Sequence, residues 1–284
     1  MSDTPPDLLL GLIGDNIMAS RAPDLHRLAG RLSGLEVQYD RLIPARMELD
    51  FDGVFAHCVE AGYRGINITY PYKERAAAKV TIEDPLVAAI GAVNTVVFGS
   101  DGPKGFNTDY SGFVAAYRSE MGDQTAPGAV CMVGAGGVGK AVAFGLIALG
   151  VEDIRIVERD LDKAEALAVA LSAVQPSLRT LVADHPGQAV TGAQGLINCT
   201  PVGMVGYQGT PLPKPHMADA AWAFDAVYTP IDTQFLEDAA EVGLTTLSGY
   251  ELFFHQGVDA WLLFSGQAVD QRALRTALET EPSD

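Results

Sequence analysis

The amino-acid sequence predicts an α/β fold made of two domains in series, and three observations support this. The chain has 284 residues, which is long for one domain and sufficient for two. Short apolar runs alternate with longer amphipathic segments, a rhythm typical of the strands and helices of a largely parallel sheet. The rhythm stops at the polar, turn-forming stretch 122–128 and then restarts. We therefore predict domains at 1–122 and 123–249, with terminal helices at 250–284 that close onto the first domain.

The first domain is predicted to open with alternating strands and helices. In chain order these are a strand at 8–13, a helix at 23–32, a strand at 37–43, a helix at 51–60 and a strand at 66–69. A turn at Pro71 leads into a short helix from Glu74, because proline cannot continue a paired strand. The domain then ends with a hairpin of strands at 92–98 and 104–107 and a helix at 112–121.

The second domain repeats the same rhythm. Its predicted elements are a strand at 129–133, a helix at 140–149, a strand at 154–157, a helix at 161–172, and strands at 181–183, 195–199 and 223–227. Strands that alternate with helices in this way indicate a parallel sheet with helices on both faces.

Composition excludes several classes of partner. The net charge of −17 opposes binding to nucleic acid or to anionic lipid surfaces. No run of about 18 uninterrupted apolar residues occurs, so no membrane span is predicted. The three cysteines are far apart and show no metal-ligand spacing, which indicates free thiols and no metal site. We predict a cytoplasmic protein that acts on a small molecule as a monomer or homodimer.

One stretch of the second domain is rich in glycine. Residues 131–140 read C-M-V-G-A-G-G-V-G-K. Gly134, Gly136 and Gly139 fit the pattern G-x-G-x-x-G, with Gly137 between them, and a predicted strand precedes the turn while a helix follows it. Such glycines permit a tight turn and a close approach of the backbone to a pyrophosphate, which the helix N-terminus also attracts.

An acidic residue completes this dinucleotide-binding fingerprint. Glu158 directly follows the next predicted strand and lies nineteen residues after Gly139. A carboxylate at this position accepts hydrogen bonds from the adenine ribose hydroxyls and repels a 2′-phosphate, so the sequence favours NAD. Arg159 beside it can partly offset that charge, which keeps NADP open.

A phosphate loop of a nucleotide triphosphatase is the competing interpretation of the glycine turn. The stretch nearly fits G-x-x-x-x-G-K-[ST] from Gly134 onward. The last position is Ala141, which has no hydroxyl to bind magnesium, so this alternative is disfavoured.

Seven short motifs occur in a fixed order along the chain. They read S-R-A-P at 20–23, N-I-T-Y-P-Y-K at 67–73, G-A-V-N-T at 91–95, N-T-D at 107–109, N-C-T-P-V-G-M at 198–204, D-A-V-Y-T-P at 225–230 and H-Q at 255–256. With the glycine turn between them, they resemble the shikimate dehydrogenase family, including its quinate/shikimate and shikimate-dehydrogenase-like branches. The resemblance covers most of the chain. It implies reversible, NAD(P)-dependent reduction of 3-dehydroshikimate to shikimate, a step of aromatic amino acid biosynthesis.

The resemblance also implies a role for individual residues. Lys73 matches the catalytic lysine and Asp109 its partner aspartate. The positions that match substrate-binding side chains are Ser20, Thr69, Asn94, Tyr228 and Gln256. The positions that match the cofactor site, besides the glycine turn and Glu158, are Arg159, Thr200, Met204 and Gly249. Residues 1–122 then form the substrate-binding catalytic domain and 123–249 the dinucleotide-binding domain.

The chain departs from the family pattern at two places. Ala22 stands where the family usually has Ser or Thr, so one hydroxyl donor to the substrate carboxylate is missing. A hydrogen bond to a charged group contributes about 1.5–3 kcal/mol, so quinate or an aminoshikimate-type compound competes with shikimate as substrate. Many NADP-using members read Asn-Arg-Thr where this chain reads Glu-Arg-Asp at 158–160, which supports NAD.

The predicted mechanism needs a hydride acceptor and a base. The nicotinamide supplies the first, and the neutral amine of Lys73 takes the hydroxyl proton. In the reduction the Lys73 ammonium returns this proton, while Asp109 orients the lysine. We expect Lys73 to face the gap between the two domains. A non-catalytic NAD(P)-binding sensor is the alternative of another class, and it has no use for both Lys73 and Asp109.

Overall fold

The computed structural model describes residues 5–280, which divide into two compact units. The first unit runs up to Thr108 and includes the chain from Gln256 onward. The second unit runs from Asp109 to His255. The functional domain limits predicted from the sequence lie elsewhere and stay predictions.

Residues 5–280 form eleven strands. They are β1 (Leu8–Ile13), β2 (Val37–Leu42), β3 (Gly65–Ile68), β4 (Thr95–Gly99), β5 (Gly102–Phe106), β6 (Ala129–Val133), β7 (Asp153–Val157), β8 (Arg179–Ala183), β9 (Gly195–Asn198), β10 (Trp222–Asp225) and β11 (Thr245–Leu247). The sequence patterns predict ten of these strands but not β11. They also begin β4 too early, because the Val93 N–H donates to the Lys73 carbonyl and the Ala92 carbonyl accepts from the Asn107 side chain.

The same residues form eleven α-helices. They are α1 (Ala22–Ser33), α2 (Pro44–Met47), α3 (Phe51–Glu60), α4 (Lys73–Ala77), α5 (Pro85–Ile90), α6 (Thr108–Met121), α7 (Gly137–Ala148), α8 (Leu161–Val174), α9 (Gln234–Glu241), α10 (Gly249–Ser265) and α11 (Gln271–Thr280). The short helices α2, α5 and α9 were not predicted. Within residues 5–280 no helix is both long and apolar enough to cross a membrane.

For five of these helices, a side chain just before the first turn accepts a main-chain N–H of that turn. These side chains are Asp50 for α3, Asp84 for α5, Asp160 for α8, Thr233 for α9 and Asp270 for α11. Each satisfies at least one of the N–H groups that the first turn of a helix leaves without a partner.

The sheet of the first unit has the order β2-β1-β3-β4-β5. β1, β2 and β3 are parallel, and β4 and β5 add the predicted antiparallel hairpin. Successive residues of β1 face opposite sides of the sheet: Leu10 and Leu12 pack with Tyr39 and Phe264, while Ile13 packs with Phe51. The apolar run of β1 is thus explained by a sheet that is buried on both faces.

The C-terminal end of the chain completes the first unit. Phe264 of α10 lies in the apolar cluster around Leu10. The Arg21 guanidinium, just before α1, donates a hydrogen bond to the Leu278 carbonyl of α11. The Arg64 guanidinium donates to the Phe264 carbonyl at 2.9 Å.

The sheet of the second unit is parallel throughout, with the order β11-β10-β9-β6-β7-β8. This is the doubly wound order of dinucleotide-binding folds, in which β6 is the first strand and lies near the centre. Helix α6 belongs to this unit from Asp109 onward, and its Phe113 packs on Phe224 with ring centroids 5.0 Å apart.

Each sheet contains a strand whose first residue is a glycine covered by an aromatic ring. A side chain at Gly65, the first residue of β3, would collide with the Phe264 ring. A side chain at Gly195, the first residue of β9, would collide with the Trp222 indole, whose Nε1–H donates to the Pro127 carbonyl at 3.0 Å. The rings therefore take the space that a larger residue would occupy.

Candidate functional site

The turn between β6 and α7 is shaped by three glycines with different surroundings. Gly134 has a φ of 102°, which favours glycine, and a side chain there would collide with the backbone of Cys199. A side chain at Gly139 would collide with the Gly134 carbonyl oxygen, so α7 packs directly on the turn. At Gly136, apart from the residue itself and its two chain neighbours, no heavy atom of residues 5–280 lies within 4 Å of the position that a Cβ would take. The turn is closed towards the protein and open at Gly136, where a ligand can approach the backbone.

The position of this turn in the sheet also suits a ligand. The strand order runs outward from β6 in both directions, through β7 on one side and β9 on the other. Ligands of open parallel sheets bind beyond the carboxyl ends of the strands at such a reversal. The first turn of α7, beginning at Gly137, directs its N–H groups to the same edge and favours an anion there.

The Glu158 carboxylate is held beside the glycine turn. Its Oε2 accepts a hydrogen bond from the Ala135 N–H at 3.0 Å. Its Oε1 accepts from the N–H groups of Arg159, at 2.8 Å, and Asp160, at 3.3 Å. A carboxylate offers about four acceptor positions, so capacity remains for a hydroxyl donor from a ligand.

A buried polar network joins the ends of β9 and β10. The Asn198 Oδ1 accepts from the Thr200 N–H at 2.9 Å and from the Thr200 hydroxyl at 2.7 Å. The Asn198 Nδ2 donates to Asp225 Oδ1 at 2.9 Å, and the Thr233 hydroxyl donates to Asp225 Oδ2 at 2.6 Å. This network fixes the start of the loop that carries Met204 at the same edge of the sheet as the glycine turn.

Burial raises the pKa of Asp225 to about 6, although the Thr233 hydroxyl, the Val227 N–H and Asn198 each lower it. The folded protein therefore binds the Asp225 proton more tightly than the unfolded chain does. The contribution of this proton to the free energy of unfolding is fully present below about pH 4 and is lost as the pH rises through 6. We expect the wild type to lose about 3 kcal/mol over this window relative to Asp225→Asn.

The measurement is the unfolding free energy of both proteins from pH 4 to pH 7. The other carboxylates titrate in both proteins, so they cancel in the difference. A difference that stays constant across the window would contradict the assignment of this pKa to Asp225.

Lys73 is the first residue of α4, and main-chain bonds fix the turn before it. The Thr69 N–H donates to the Ile13 carbonyl at the end of β1, and the Tyr72 N–H donates to the Thr69 carbonyl, both at 2.9 Å. The Lys73 carbonyl accepts from the Val93 N–H at 3.0 Å. Thr69 and Lys73 therefore lie in one turn that is tied to β1 and to the segment before β4.

A second contact ties this turn to the loop after β1. The Tyr72 ring stacks on Phe51, with centroids 4.9 Å apart, and its hydroxyl donates to Asp15 Oδ1 at 2.6 Å. The hydrogen bond to Asp15 raises the pKa of Tyr72. A side chain at Gly14 would collide with the Thr69 methyl group, so this loop lies close against the turn.

The same loop ends at Ser20. The Ser20 Oγ accepts from the Ala22 N–H at 3.3 Å, and its carbonyl accepts from the Arg41 guanidinium at 3.1 Å. The Ala22 methyl group packs against the apolar cluster that contains Leu10. The segment 20–23 thus offers a ligand the hydroxyl of Ser20, and position 22 is apolar.

Asn94 and Gln256 are brought together around Thr108. The Asn94 side chain is 3 % exposed; its Oδ1 accepts from the Thr108 N–H at 2.7 Å and its Nδ2 donates to the Thr108 Oγ1 at 3.0 Å. The Thr108 Oγ1 lies 3.5 Å from the Gln256 Oε1. Asp109 is the next residue of α6.

Tyr228 and Gly249 lie near each other in the second unit. The Tyr228 ring stacks on Phe253 of α10, with centroids 5.2 Å apart. A side chain at Gly249 would collide with the carbonyl groups of Ala226 and Val227, so α10 begins in direct contact with the chain after β10.

Several polar side chains that are hydrogen-bonded to one another and to Asn94 received no role from the sequence. Asn67 and Thr95 lie inside quoted motifs, which was a signal that could have singled them out. Thr108 was part of N-T-D but received no role. Tyr39 is one of nine tyrosines, and nothing in its local sequence distinguishes it.

Comparisons with known proteins cover both units. A model described as the shikimate dehydrogenase substrate binding domain matches residues 12–96, and one described as shikimate / quinate 5-dehydrogenase matches residues 118–184. A quinate/shikimate dehydrogenase (NAD(+)) of Corynebacterium efficiens is 36 % identical over 274 residues, which cover 94 % of this chain and 96 % of that protein.

Two solved structures are similar over nearly the whole chain. Quinate dehydrogenase from Corynebacterium glutamicum in complex with NAD has a TM-score of 0.88 at 32 % identity, over 96 % of this chain and 99 % of that one. Shikimate 5-dehydrogenase from Thermus thermophilus in complex with NADP(H) and shikimate has a TM-score of 0.82 at 31 % identity, over 96 % and 98 %. The predicted α/β class with two domains is confirmed, and the chain belongs to the shikimate dehydrogenase family of NAD(P)-dependent oxidoreductases.

Proposed function

We propose that this protein reversibly oxidises a cyclic polyol carboxylate, shikimate or quinate, with NAD as the preferred cofactor. The observation that carries the proposal is the open backbone at Gly136, at the strand reversal of the second sheet and beside the fixed Glu158 carboxylate. That arrangement fits a dinucleotide, because an extended pyrophosphate needs a main-chain approach without side chains and the ribose needs a hydrogen-bond acceptor. The predicted monomeric or dimeric state and cytoplasmic location stay predictions.

The cofactor would be held by residues of the second unit. The N–H groups at Gly136 and Gly137 would bind the pyrophosphate, and Glu158 the adenine ribose. Thr200 and Met204, in the loop after β9, would lie beside the cofactor. Gly249 would lie near the nicotinamide, which supplies hydride acceptance and donation when bound.

The proposed preference for NAD follows from the hydrogen bonds that the Glu158 carboxylate already accepts. It accepts the N–H groups of Ala135, Arg159 and Asp160, which are donors that could otherwise bind a 2′-phosphate. The carboxylates of Glu158 and Asp160 would also repel that phosphate. The exposed Arg159 side chain is the nearby group that supports NADP as a poorer alternative.

The substrate would be bound mainly by hydrogen bonds. Side chains proposed for this task are the five named from the family resemblance: Ser20, Thr69, Asn94, Tyr228 and Gln256. Asn94 supports this role because one Nδ2 hydrogen is directed to Thr108 and the amide has a second hydrogen for a ligand oxygen. The Ser20 oxygen accepts from a main-chain N–H, which leaves its proton for a carboxylate.

Lys73 and Asp109 would perform the acid–base chemistry. In the oxidation, the neutral Lys73 amine takes the hydroxyl proton while the carbinol hydrogen leaves as hydride. In the reduction, the Lys73 ammonium gives its proton to the developing alkoxide. The turn 69–73 is anchored to β1 and to the segment before β4, which would keep the amine in place for either direction.

Quinate and aminoshikimate-type substrates compete with shikimate because of Ala22. Its methyl group packs into an apolar cluster, so the segment 20–23 presents one hydroxyl where the family resemblance implies two. A substrate that relies less on this contact would lose less affinity.

The test is a set of four initial-rate assays, in which the purified protein receives NAD or NADP with shikimate or quinate. Turnover of either polyol supports the proposal, and the two rates compare the substrates. A rate that is higher with NAD supports the role of Glu158. No turnover with either polyol and either cofactor would refute the function and favour the non-catalytic sensor, which dinucleotide binding without turnover would identify.

A further inference from the structure

We propose that Tyr39, Asn67 and Thr95 are positioning residues that orient Asn94 through a one-way chain of hydrogen bonds. None of the three was assigned a role above. The inference rests on the proposed function, because it concerns the Asn94 side chain as a substrate contact.

The chain of hydrogen bonds begins in the core of the first unit. Tyr39, on β2, is 1 % exposed, and its hydroxyl donates to Asn67 Oδ1 at 2.8 Å. The Asn67 Nδ2 donates to Thr95 Oγ1 at 3.1 Å. The Thr95 hydroxyl, which is fully buried, donates to Asn94 Oδ1 at 3.1 Å. The chain therefore runs from β2 through β3 to the start of β4.

The direction of the chain is fixed at both ends. The Asn94 main-chain carbonyl, which can only accept, lies 3.5 Å from the Asn67 Nδ2, so the NH₂ group of Asn67 faces β4 and Thr95. The Asn67 oxygen then faces the Tyr39 hydroxyl, which donates to it. With an Asn67 N–H on its oxygen, the Thr95 hydroxyl keeps its own proton to donate, and two acceptors are within reach, the Asn94 Oδ1 at 3.1 Å and the Thr108 Oγ1 at 3.2 Å. Because the Thr108 Oγ1 already accepts from the Asn94 Nδ2, we assign the Thr95 proton to the Asn94 oxygen. At the far end the Thr108 main-chain N–H can only donate, so it also requires the oxygen of Asn94 at this position.

The Asn94 amide is thereby held in one orientation. Its oxygen is occupied by Thr95 and Thr108, and its NH₂ group is directed away from them, with one hydrogen on the Thr108 Oγ1. A flipped amide would place NH₂ against the Thr108 N–H and leave buried donors unsatisfied, which is costly in free energy. Asn94 thus presents a donor to a ligand, and a substrate oxygen must accept there.

At the start of this chain of hydrogen bonds, the donor and acceptor roles do not change with pH. The Tyr39 ring stacks on the His26 imidazole, with centroids 5.1 Å apart and planes inclined by 7°. Burial lowers the pKa of His26 to about 3, so the imidazole is neutral at physiological pH. Asn67 and Tyr39 therefore keep the same donor and acceptor roles over the working pH range.

The test compares four full-length variants with the wild type. Tyr39→Phe removes the first donor, and Thr95→Val removes the hydroxyl while keeping the shape of the side chain. Thr95→Ser keeps the hydroxyl and should restore the chain. Tyr117→Phe is the matched control, because its hydroxyl is equally buried but has no hydrogen-bond partner within residues 5–280.

We expect Tyr39→Phe and Thr95→Val to raise the KM for the polyol about tenfold, with the KM for NAD within about twofold of wild type. Thr95→Ser and Tyr117→Phe should leave both constants within about twofold. A purely structural role would lower the folded fraction and leave both KM values unchanged. Unchanged polyol KM in the folded Tyr39→Phe and Thr95→Val proteins would overturn the proposal.

A second readout does not need turnover. In the wild type we expect the Asn94 side-chain amide protons to exchange slowly with solvent in ¹⁵N–¹H spectra, and about tenfold faster in Tyr39→Phe but not in Tyr117→Phe. Equal exchange rates in Tyr39→Phe and Tyr117→Phe would overturn the proposed chain of hydrogen bonds even if the enzyme is active.

The two failures can be told apart. If the wild type turns over neither polyol, the proposed function fails while this measurement still decides the orientation of Asn94. If Tyr39→Phe does not fold, Thr95→Val against Thr95→Ser gives the same comparison.

Discussion

Replacing Lys73 by alanine should lower kcat by about 10²–10⁴, the usual contribution of a positioned acid–base group. The KM for the polyol should change much less, since Asn94, Thr69 and Ser20 would still bind it. The unfolding midpoint should stay near that of the wild type, because the anchoring bond at this position uses the Lys73 carbonyl. Steady-state rates in both directions, with the thermal unfolding of both proteins, give the comparison.

Lys79→Ala is the matched control for this experiment. Lys79 follows α4, and its Nζ pairs with Asp52 at 3.0 Å, on a partly exposed surface. The control loses the same charge six residues further along and should keep wild-type kcat. A Lys73→Ala protein with near-normal turnover would remove the lysine from the mechanism.

Replacing Glu158 by serine should reverse or abolish the preference for NAD. The variant loses a charged acceptor for the ribose, a contribution of about 1.5–3 kcal/mol, and releases the N–H groups of Ala135, Arg159 and Asp160 for a 2′-phosphate. We expect the ratio of kcat/KM for NAD to that for NADP to fall about 100-fold. The measurement is kcat/KM with each cofactor at a fixed polyol concentration.

Asp162→Ser separates this effect from a general change of surface charge. Asp162 is an exposed acidic residue in the first turn of α8, so its removal changes the net charge equally. The cofactor ratio of this variant should stay within about twofold of wild type. If Glu158→Ser and Asp162→Ser shift the ratio of kcat/KM for NAD to that for NADP by the same amount, Glu158 does not bind the adenine ribose.

The sequence predicted the regular elements where one physical signal was sufficient. β1 and β6 have the predicted limits because each is a short apolar run between polar segments, as buried parallel strands are. The prediction failed where an element depends on its neighbours. β11 has three residues, two of them threonines, and exists because it pairs with Trp222 and Phe224 of β10.

For the site, likewise, local sequence motifs predicted some residues, but contacts between distant segments could not be predicted. Motifs singled out Lys73, Asn94 and the glycine turn, since local patterns carry these residues. They could not show that Glu158 binds the Ala135 N–H, because that contact depends on how the second strand and the turn are placed in space. Tyr39 was out of reach for the same reason, since it meets Asn67 across the sheet at a separation of 28 positions in the sequence.

The glycines at the first positions of β3 and β9 have a consequence for how the sheets assemble. The smallest slip that keeps the same face of a strand inward is two residues. In β3 such a slip would bring Tyr63 or Asn67 under the Phe264 ring, and in β9 it would bring Ala193 or Ile197 under the Trp222 indole. Both shifted pairings are blocked by steric overlap. The two aromatic rings therefore allow only one register for β3 and for β9.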